Sequence, residues 1–266
     1  GHKVAYIEWE EGSQFPFYDI AIENVPIVGK GIARFVKHAP EISPANLTCI
    51  GFSLGAHVCG FVGKALRNLY RIIGLDPAGP EFDEIPHAKR LREGDASFVE
   101  CIHTDATFGT TEAVCDQDFF ANEGHDQKLC ENDLSSEEYL SNMIDQMTCS
   151  HSLAHEIFIQ SIRDYEENGT GCRFTSVPCS SEKLLHKGHC FKCRKNTATL
   201  PAAGFEARQT NTHWQGRFYF ATTFIKENLC GSLYSIKLKA DKSVKGQILL
   251  NVQREDGHSY EIEFQE

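Results

Sequence analysis

What this 266-residue chain lacks narrows its class first. No apolar run approaches the roughly 20 residues that span a bilayer, so no membrane-crossing helix is expected. Positive charge is short: 26 Lys and Arg stand against 37 Asp and Glu, a net charge of −11. An acidic surface argues against nucleic acid, and against polyanions such as heparin, as partners. No segment repeats, and no tract is of low complexity. What remains is ordinary globular composition, 41% hydrophobic and 24% charged, in a length that buries one substantial core and part of a second.

Cysteine is not in short supply. Eleven are spread along the chain, with sequons at Asn46-Leu47-Thr48 and Asn168-Gly169-Thr170. Together they indicate a secreted, extracellular protein with Asn46 and Asn168 as glycosylation candidates. An odd count leaves at least one thiol free or intermolecular, and Cys230 is a candidate. The segment Cys179…Cys190-Phe191-Lys192-Cys193, with His186 and His189 close by, fits a zinc cluster or disulfides. The secretory context favours disulfides.

Chemistry concentrates in residues 49–63. Gly51-Phe52-Ser53-Leu54-Gly55 is G-x-S-x-G, the pattern of a nucleophile elbow. Residues 47–51 read as a short apolar strand and 56–66 as a helix, with Ala56, Gly60 and Gly63 small enough to pack closely on a sheet. Ser53 then sits on a sharp turn that aims its hydroxyl into a site. Gly51 and Gly55 are expected because side chains would block that turn. The competing reading is an ordinary loop serine.

A serine hydroxyl needs a histidine to remove its proton and an acid to orient that histidine. In α/β-hydrolases the acid and then the histidine follow the serine along the chain. Arg71-Ile72-Ile73-Gly74-Leu75-Asp76 is an apolar strand ending in a carboxylate, where ligand crevices open in such sheets. Asp76 also fits a simple turn cap. Cys149-Ser150-His151 places His151 at the start of a helical stretch. His103, at the end of the strand in Cys101-Ile102-His103-Thr104-Asp105, is a rival base, and His57 reads as packing. His155 lies four residues after His151, but no carboxylate is spaced as in H-E-x-x-H, so no metal is expected there.

Taken together, these segments resemble the neutral, or pancreatic-type, lipase family of animals. The marks are Gly51-Phe52-Ser53-Leu54-Gly55-Ala56-His57, Gly74-Leu75-Asp76-Pro77-Ala78-Gly79-Pro80, residues 98–105, Asp118-Phe119-Phe120-Ala121-Asn122-Glu123-Gly124 and Cys149-Ser150-His151. Their order and spacing agree over almost the whole chain. The resemblance implies an α/β-hydrolase fold, a triad of Ser53, Asp76 and His151, and the Leu54 N–H as an oxyanion donor. It favours His151 over His103. Phe52 departs from the pattern, which usually has His before the nucleophile. Residues 4–13 resemble the strand and loop that follow the family's oxyanion-loop strand. The preceding strand and a signal peptide are not found, so a fragment beginning inside the catalytic domain is expected, with the second oxyanion donor outside it.

The same resemblance implies a disulfide between Cys130 and Cys149 that closes residues 131–148 as a lid. Leu140, Met143, Ile144 and Met147 fall on one helical face, which covers the site in water and opens onto lipid. The competing reading is a core-facing helix under a loop. Cys179 and Cys190 match a second family disulfide, and Cys172 is expected opposite Cys193. A structural calcium site of the family maps onto residues 86–95. His87 and Arg92 stand where acids are expected, leaving Asp95 and the Arg90 carbonyl, too few hard oxygens for calcium. The lid is intermediate in length and the loop from Asp105 to Asp118 is short, which leaves triacylglycerol and the phospholipid sn-1 ester both open.

Along the chain, strands are expected at residues 4–9, 47–51, 72–75 and 98–103, and helices at 25–37, 56–66 and from near His151 through 157–165. This alternation argues for a mostly parallel sheet with helices on both faces. Residues 1–212 are expected to form the α/β-hydrolase catalytic domain. Residues 213–266 resemble the opening of a β-sandwich PLAT-type domain, with strands at 233–238, 246–252 and 259–264. The expected protein is a secreted serine lipase that cleaves lipid esters at a lipid–water interface through an acyl-enzyme. It needs no cofactor and touches membranes or droplets only peripherally. The alternative is a non-catalytic lipid-binding or yolk-type protein on the same fold.

Overall fold

The computed structural model describes residues 3–14, 16–130, 139–166, 173–191, 200–207, 215–223, 228–233, 247–253 and 259–265. It divides into two compact units, Gly1–Leu233 and Tyr234–Glu266.

The first unit is built on strands β1 (Thr48–Phe52), β2 (Arg71–Leu75), β3 (Val99–His103), β4 (Gln117–Ala121), β5 (Val177–Pro178) and β6 (Gly216–Phe220). They form one six-stranded sheet in the order β1-β2-β3-β4-β6-β5. All neighbours are parallel except β5, which runs antiparallel to β6 at the edge. Every residue of β2, β3 and β4 is buried, as a parallel sheet covered on both faces requires. Pairing of Phe52 with Leu75, Leu75 with Ile102, and His103 with Phe120 aligns the strand ends. The residues that follow, Ser53, Asp76 and Thr104, therefore emerge at one edge of the sheet.

Alternation along the strands sorts the helices. Ile72, Val99 and Cys101 face α1 (Tyr18–His38) and α2 (Leu54–Leu66), packing with Ala33, Val36, Val62 and Leu66. Ile73, Leu75 and Ile102 face the other way, onto Leu153, Ala154, Ile157 and Phe158 of α3 (Tyr139–Glu166). The two α-helices on the first face touch closely: a Cβ at Gly29 would lie 2.6 Å from the Phe61 Cβ and 2.8 Å from the Val58 carbonyl oxygen. A short helix, α4 (Glu182–His186), packs Leu185 against Phe120 and Tyr219.

Four sequence expectations change. Residues 4–9 form no strand; Val4 and Tyr6 are 91% and 87% exposed. A strand needs a partner for its N–H and C=O groups, and no described strand pairs with this segment. The first helix starts at Tyr18 rather than 25 and carries Pro26 inside it. His151 does not open a helix but lies in the middle of 28-residue α3. The boundary expected at 212/213 moves to 233/234, because β6 pairs in parallel with β4 and belongs to the main sheet.

Disulfides tie Cys130 to Cys149 and Cys179 to Cys190, and two more join Cys49 to Cys59 and Cys101 to Cys115. Cys230 is disulfide-bonded, which corrects its reading as the leftover thiol. An odd count leaves at least one cysteine without a partner in the chain but does not say which. Cys172 and Cys193, expected as a pair, lie outside the described residues, as does Asn168. Asn46 is exposed at the end of a 3-10 turn. Among the described residues no helix is long and apolar enough to cross a membrane.

The second unit shows an antiparallel pair, β7 (Gln247–Gln253) and β8 (Ser259–Gln265), with Leu250 opposite Ile262. The strand expected at 233–238 lies, apart from Leu233, outside the described residues.

Candidate active site

β1 ends at Phe52 and α2 begins at Leu54, so a single residue makes the turn. That residue, Ser53, has φ 53° and ψ −121°, a conformation L-residues avoid at a cost of about 1–3 kcal/mol. Its N–H donates to the Leu75 carbonyl at 3.0 Å, and its own carbonyl accepts from the Ala56 N–H at 3.1 Å. The Cys49–Cys59 disulfide ties the strand to the helix across the turn. A Cβ at Gly51 would lie 2.1 Å from the Gly55 carbonyl oxygen, so only glycine fits there. Gly55 differs from expectation: a Cβ there would meet nothing within 4 Å among the described residues, because its side-chain direction is open. Gly60 and Gly63 serve a loop more than the sheet, since their Cβ atoms would lie 2.9 Å from the Leu91 Cα and 2.0 Å from the Asp95 carbonyl oxygen.

Asp76 follows β2, also at positive φ (43°), and is fully buried. Its Oδ2 accepts from His151 Nδ1 at 2.6 Å. Its Oδ1 accepts the Thr104 N–H at 2.8 Å and the Asp105 N–H at 3.3 Å. Burial pushes this carboxyl above its usual range, while the His151 and Thr104 hydrogen bonds pull it back. Asp105 turns the next loop by accepting the Thr107 and Phe108 N–H groups at 2.5 and 2.9 Å. That loop brings Gly109 against the acid, where a Cβ would lie 2.5 Å from Asp76 Oδ2.

With Nδ1 engaged, His151 keeps Nε2 for other work. Its ring lies 4.5 Å from that of Phe52, the residue before Ser53, and 5.8 Å from that of Phe108. Phe52 also contacts the His155 ring at 4.0 Å. This aromatic wedge joins the elbow to α3 and gives Phe52 a packing role at a position where the family pattern has His. Burial, then the neighbouring His151, lowers the His155 pKa.

The two other histidines weighed from the sequence, His57 and His103, are occupied. His57 Nε2 donates to the Ala78 carbonyl at 2.8 Å, its Nδ1 accepts the Leu91 N–H at 3.1 Å, and its ring stacks on Phe82. Burial lowers its pKa to about 3, so it is neutral. His103, the rival base, is spent on the Thr110 carbonyl and the Asp118 carboxylate, each at 2.9 Å.

Two residues escaped the sequence reading. Gln127 is fully buried, and its amide donates to the carbonyls of Thr104, Ala121 and His125 at 2.9, 3.0 and 2.7 Å. Its backbone N–H donates to the Ser150 Oγ at 2.8 Å. Thr104 holds Asp76 through its N–H and reaches the His151 carbonyl through its hydroxyl at 3.4 Å. These two pin the strand ends to the helix turn that carries His151. A lone glutamine in a loop carries no sequence signal for such a role. Of the lid, Leu140, Met143, Ile144 and Met147 belong to the first turns of α3, and residues 131–138 lie outside the described residues.

The calcium locus can be tested against its donors. Lys64 Nζ donates to the Arg90 carbonyl at 2.6 Å and ion-pairs with the Asp95 carboxylate. Arg92 Nε stands 3.7 Å from the other Asp95 oxygen. An ammonium already takes the two oxygens calcium would need, and a second cation flanks them. The residues do not fit calcium.

A family model described as Lipase matches residues 2–227. Pancreatic triacylglycerol lipase of Myocastor coypus is 32% identical over 97% of this chain and 58% of its own length. Pancreatic lipase-related protein 2 of the same species is 31% identical over 97% of this chain and 57% of its own. Inactive pancreatic lipase-related protein 1 of Mus musculus is 30% identical over 95% and 55%. The chain thus spans a little over half the length of these relatives. A parallel sheet with an elbow serine after β1, a buried acid after β2 and a histidine on α3 is the architecture of α/β-hydrolases. With the family match over most of its length, this chain belongs to the Lipase family.

Proposed function

We propose that the protein hydrolyses carboxylic esters of lipids through a serine acyl-enzyme. The observation that carries this is the buried Asp76–His151 hydrogen bond, 2.6 Å long, packed through Phe52 against the strained elbow of Ser53. Asp76 fixes the imidazole with Nδ1–H as donor, leaving Nε2 as the base. His151 Nε2 takes the Ser53 proton as Oγ attacks the ester carbonyl. The Leu54 N–H, at the first position of α2 where amides have no intrahelical acceptor, stabilises the oxyanion. Collapse of the tetrahedral intermediate sends the His151 proton to the departing alcohol. Water, deprotonated by His151, then releases the fatty acid and restores Ser53.

Residues 131–148, closed by Cys130–Cys149, serve as the lid over this site, and the substrate is presented at a lipid–water interface. The disulfides support secretion. The β7–β8 pair is the start of a PLAT-type β domain. The relatives' names support a triacylglycerol substrate, and the short loop from Asp105 to Asp118 supports a phospholipid.

A second reading is a non-catalytic lipid binder, favoured by one observation: a relative of comparable identity is named as inactive. Labelling of the full-length protein by a long-chain fluorophosphonate, in detergent, separates the two. Labelling of the wild type and none of Ser53→Ala supports the enzyme. A well-folded wild type that takes no label rejects it.

A further inference from the structure

Away from the catalytic residues, four metal-ligating side chains converge beside α4. Glu182 and His186 lie one turn apart on that helix and share a face. Opposite them, the turn after β4 presents Glu123 and His125. His186 Nε2 is 3.1 Å from Glu123 Oε1 and 3.4 Å from Glu182 Oε1. His125 Nε2 is 3.2 Å from Glu182 Oε2. Ligand atoms of Glu123, Glu182 and His186 all lie within 4.8 Å of one another. A tetrahedral zinc ion with bonds of about 2.0–2.1 Å sets neighbouring donors about 3.3 Å apart. The two edges that meet at His186 Nε2, 3.1 and 3.4 Å, lie close to that spacing, and His125 approaches the other Glu182 oxygen.

The donors stand on held backbone. The Cys179–Cys190 disulfide closes the loop that carries α4, Ser181 caps the helix by accepting the Leu184 N–H, and Leu185 anchors it on Phe120 and Tyr219. On the other side, the Asn122 amide bonds Thr222 Oγ1 at 2.6 Å and Gln127 bonds the His125 carbonyl. Arg217 lines the same hollow, but its guanidinium is engaged by the Thr111 carbonyl at 2.9 Å and lies over the Phe120 ring at 4.7 Å.

We propose that Glu123, Glu182 and His186 bind a divalent transition-metal ion, zinc foremost, with His125 positioning Glu182 through its other carboxylate oxygen. Imidazole with carboxylate suits zinc rather than calcium. The ion clasps α4 to the segment that runs on through Gln127 to Cys130. This site is independent of Ser53 and of the catalytic reading. The sequence sets a zinc cluster at His186 against disulfides and favours the disulfides; Cys179 and Cys190 are bridged, and carboxylates rather than thiolates face the imidazole.

Zinc affinity of the EDTA-stripped full-length protein, measured by competition with a chromophoric chelator, tests the site, with cobalt as a spectroscopic stand-in. One zinc per chain, visible d–d bands of tetrahedral cobalt and a rise in Tm with zinc are expected. Glu182→Gln and His186→Ala should each weaken zinc by at least about tenfold while keeping the wild-type Tm in EDTA. Lack of saturable zinc binding in the wild type overturns the proposal. So does wild-type affinity in both variants, which would reduce the cluster to ordinary surface ion pairs. If His186→Ala does not fold, Glu182→Gln decides alone.

Discussion

The helices on opposite faces of the sheet each carry one part of the proposed site, and they hold it differently. Ser53 stands at the start of α2 on backbone set by its own neighbourhood: the strand before it, the glycine at 51 and the disulfide from Cys49 to Cys59. His151 stands in mid-α3, and its restraints come from far along the chain. Asp76 holds the ring, Phe52 packs it, and Gln127 and Thr104 pin the adjoining turn. A locally built residue fails only when its own turn is changed. A residue built by long-range contacts fails through substitutions that never touch it.

Breaking the long-range side should cost most. Asp76→Asn leaves the shape intact but loses the carboxylate that selects the imidazole tautomer, so kcat should fall about 10⁴-fold. Ester turnover of the full-length variant, with an unchanged circular dichroism spectrum, checks this. Gly109→Ala pushes a methyl to 2.5 Å from Asp76 Oδ2. A shift of that kind should lower kcat about 100-fold, with the fluorophosphonate labelling rate falling in parallel. An unchanged rate would show that the loop gives way instead of the acid.

Smaller effects sharpen the contrast through stability. Gln127→Leu strips the buried Thr104 and Ala121 carbonyls and the half-buried His125 carbonyl of a donor and should cost about 2 kcal/mol in urea unfolding. His57 gives a pH test. Its folded pKa of about 3 lies below the unfolded value of 6.5, so the unfolded chain binds the extra proton between them. Its stabilising contribution is full above pH 6.5 and declines as the pH falls toward 3, with a slope of at most about 1.4 kcal/mol per pH unit. His57→Gln should flatten that part of the stability profile. The smallest effect belongs to Gly55→Ala, whose open side-chain direction and helical setting allow a gain of up to about 1 kcal/mol. Gly51→Ala, with no such room, should prevent the elbow from forming, and thermal melts of the pair make the comparison.

Sequence patterns were most legible where structure is local. The apolar runs at 47–51 and 72–75 and the helical spacing at 56–66 each lie within a residue or two of the observed β1, β2 and α2. Patterning failed where partners decide the outcome. Residues 4–9 have the composition of a strand, yet no described strand pairs with them. Residues 216–220 fall within the expected second domain with no strand assigned to them, and the pairing of β6 with β4 places them in the first. His103 ends an apolar strand and His151 lies in a helical stretch; residue patterns leave both open, and geometry shows that His103 is spent on Asp118 and Thr110 while His151 reaches Asp76.

By itself, the sequence determined the strand–turn–helix at Ser53, because one glycine clash and a short apolar strand are encoded within a few residues. It also determined the parallel sheet, through the alternation of apolar strands with helices. Tertiary structure alone decided how Asp76 and His151, paired in the sequence only through the family resemblance, are held together, that a lysine ammonium stands where calcium would bind, and that Gln127 braces the site. Those outcomes depend on groups 23 to 75 residues apart meeting in a buried space, where each polar atom must find a partner.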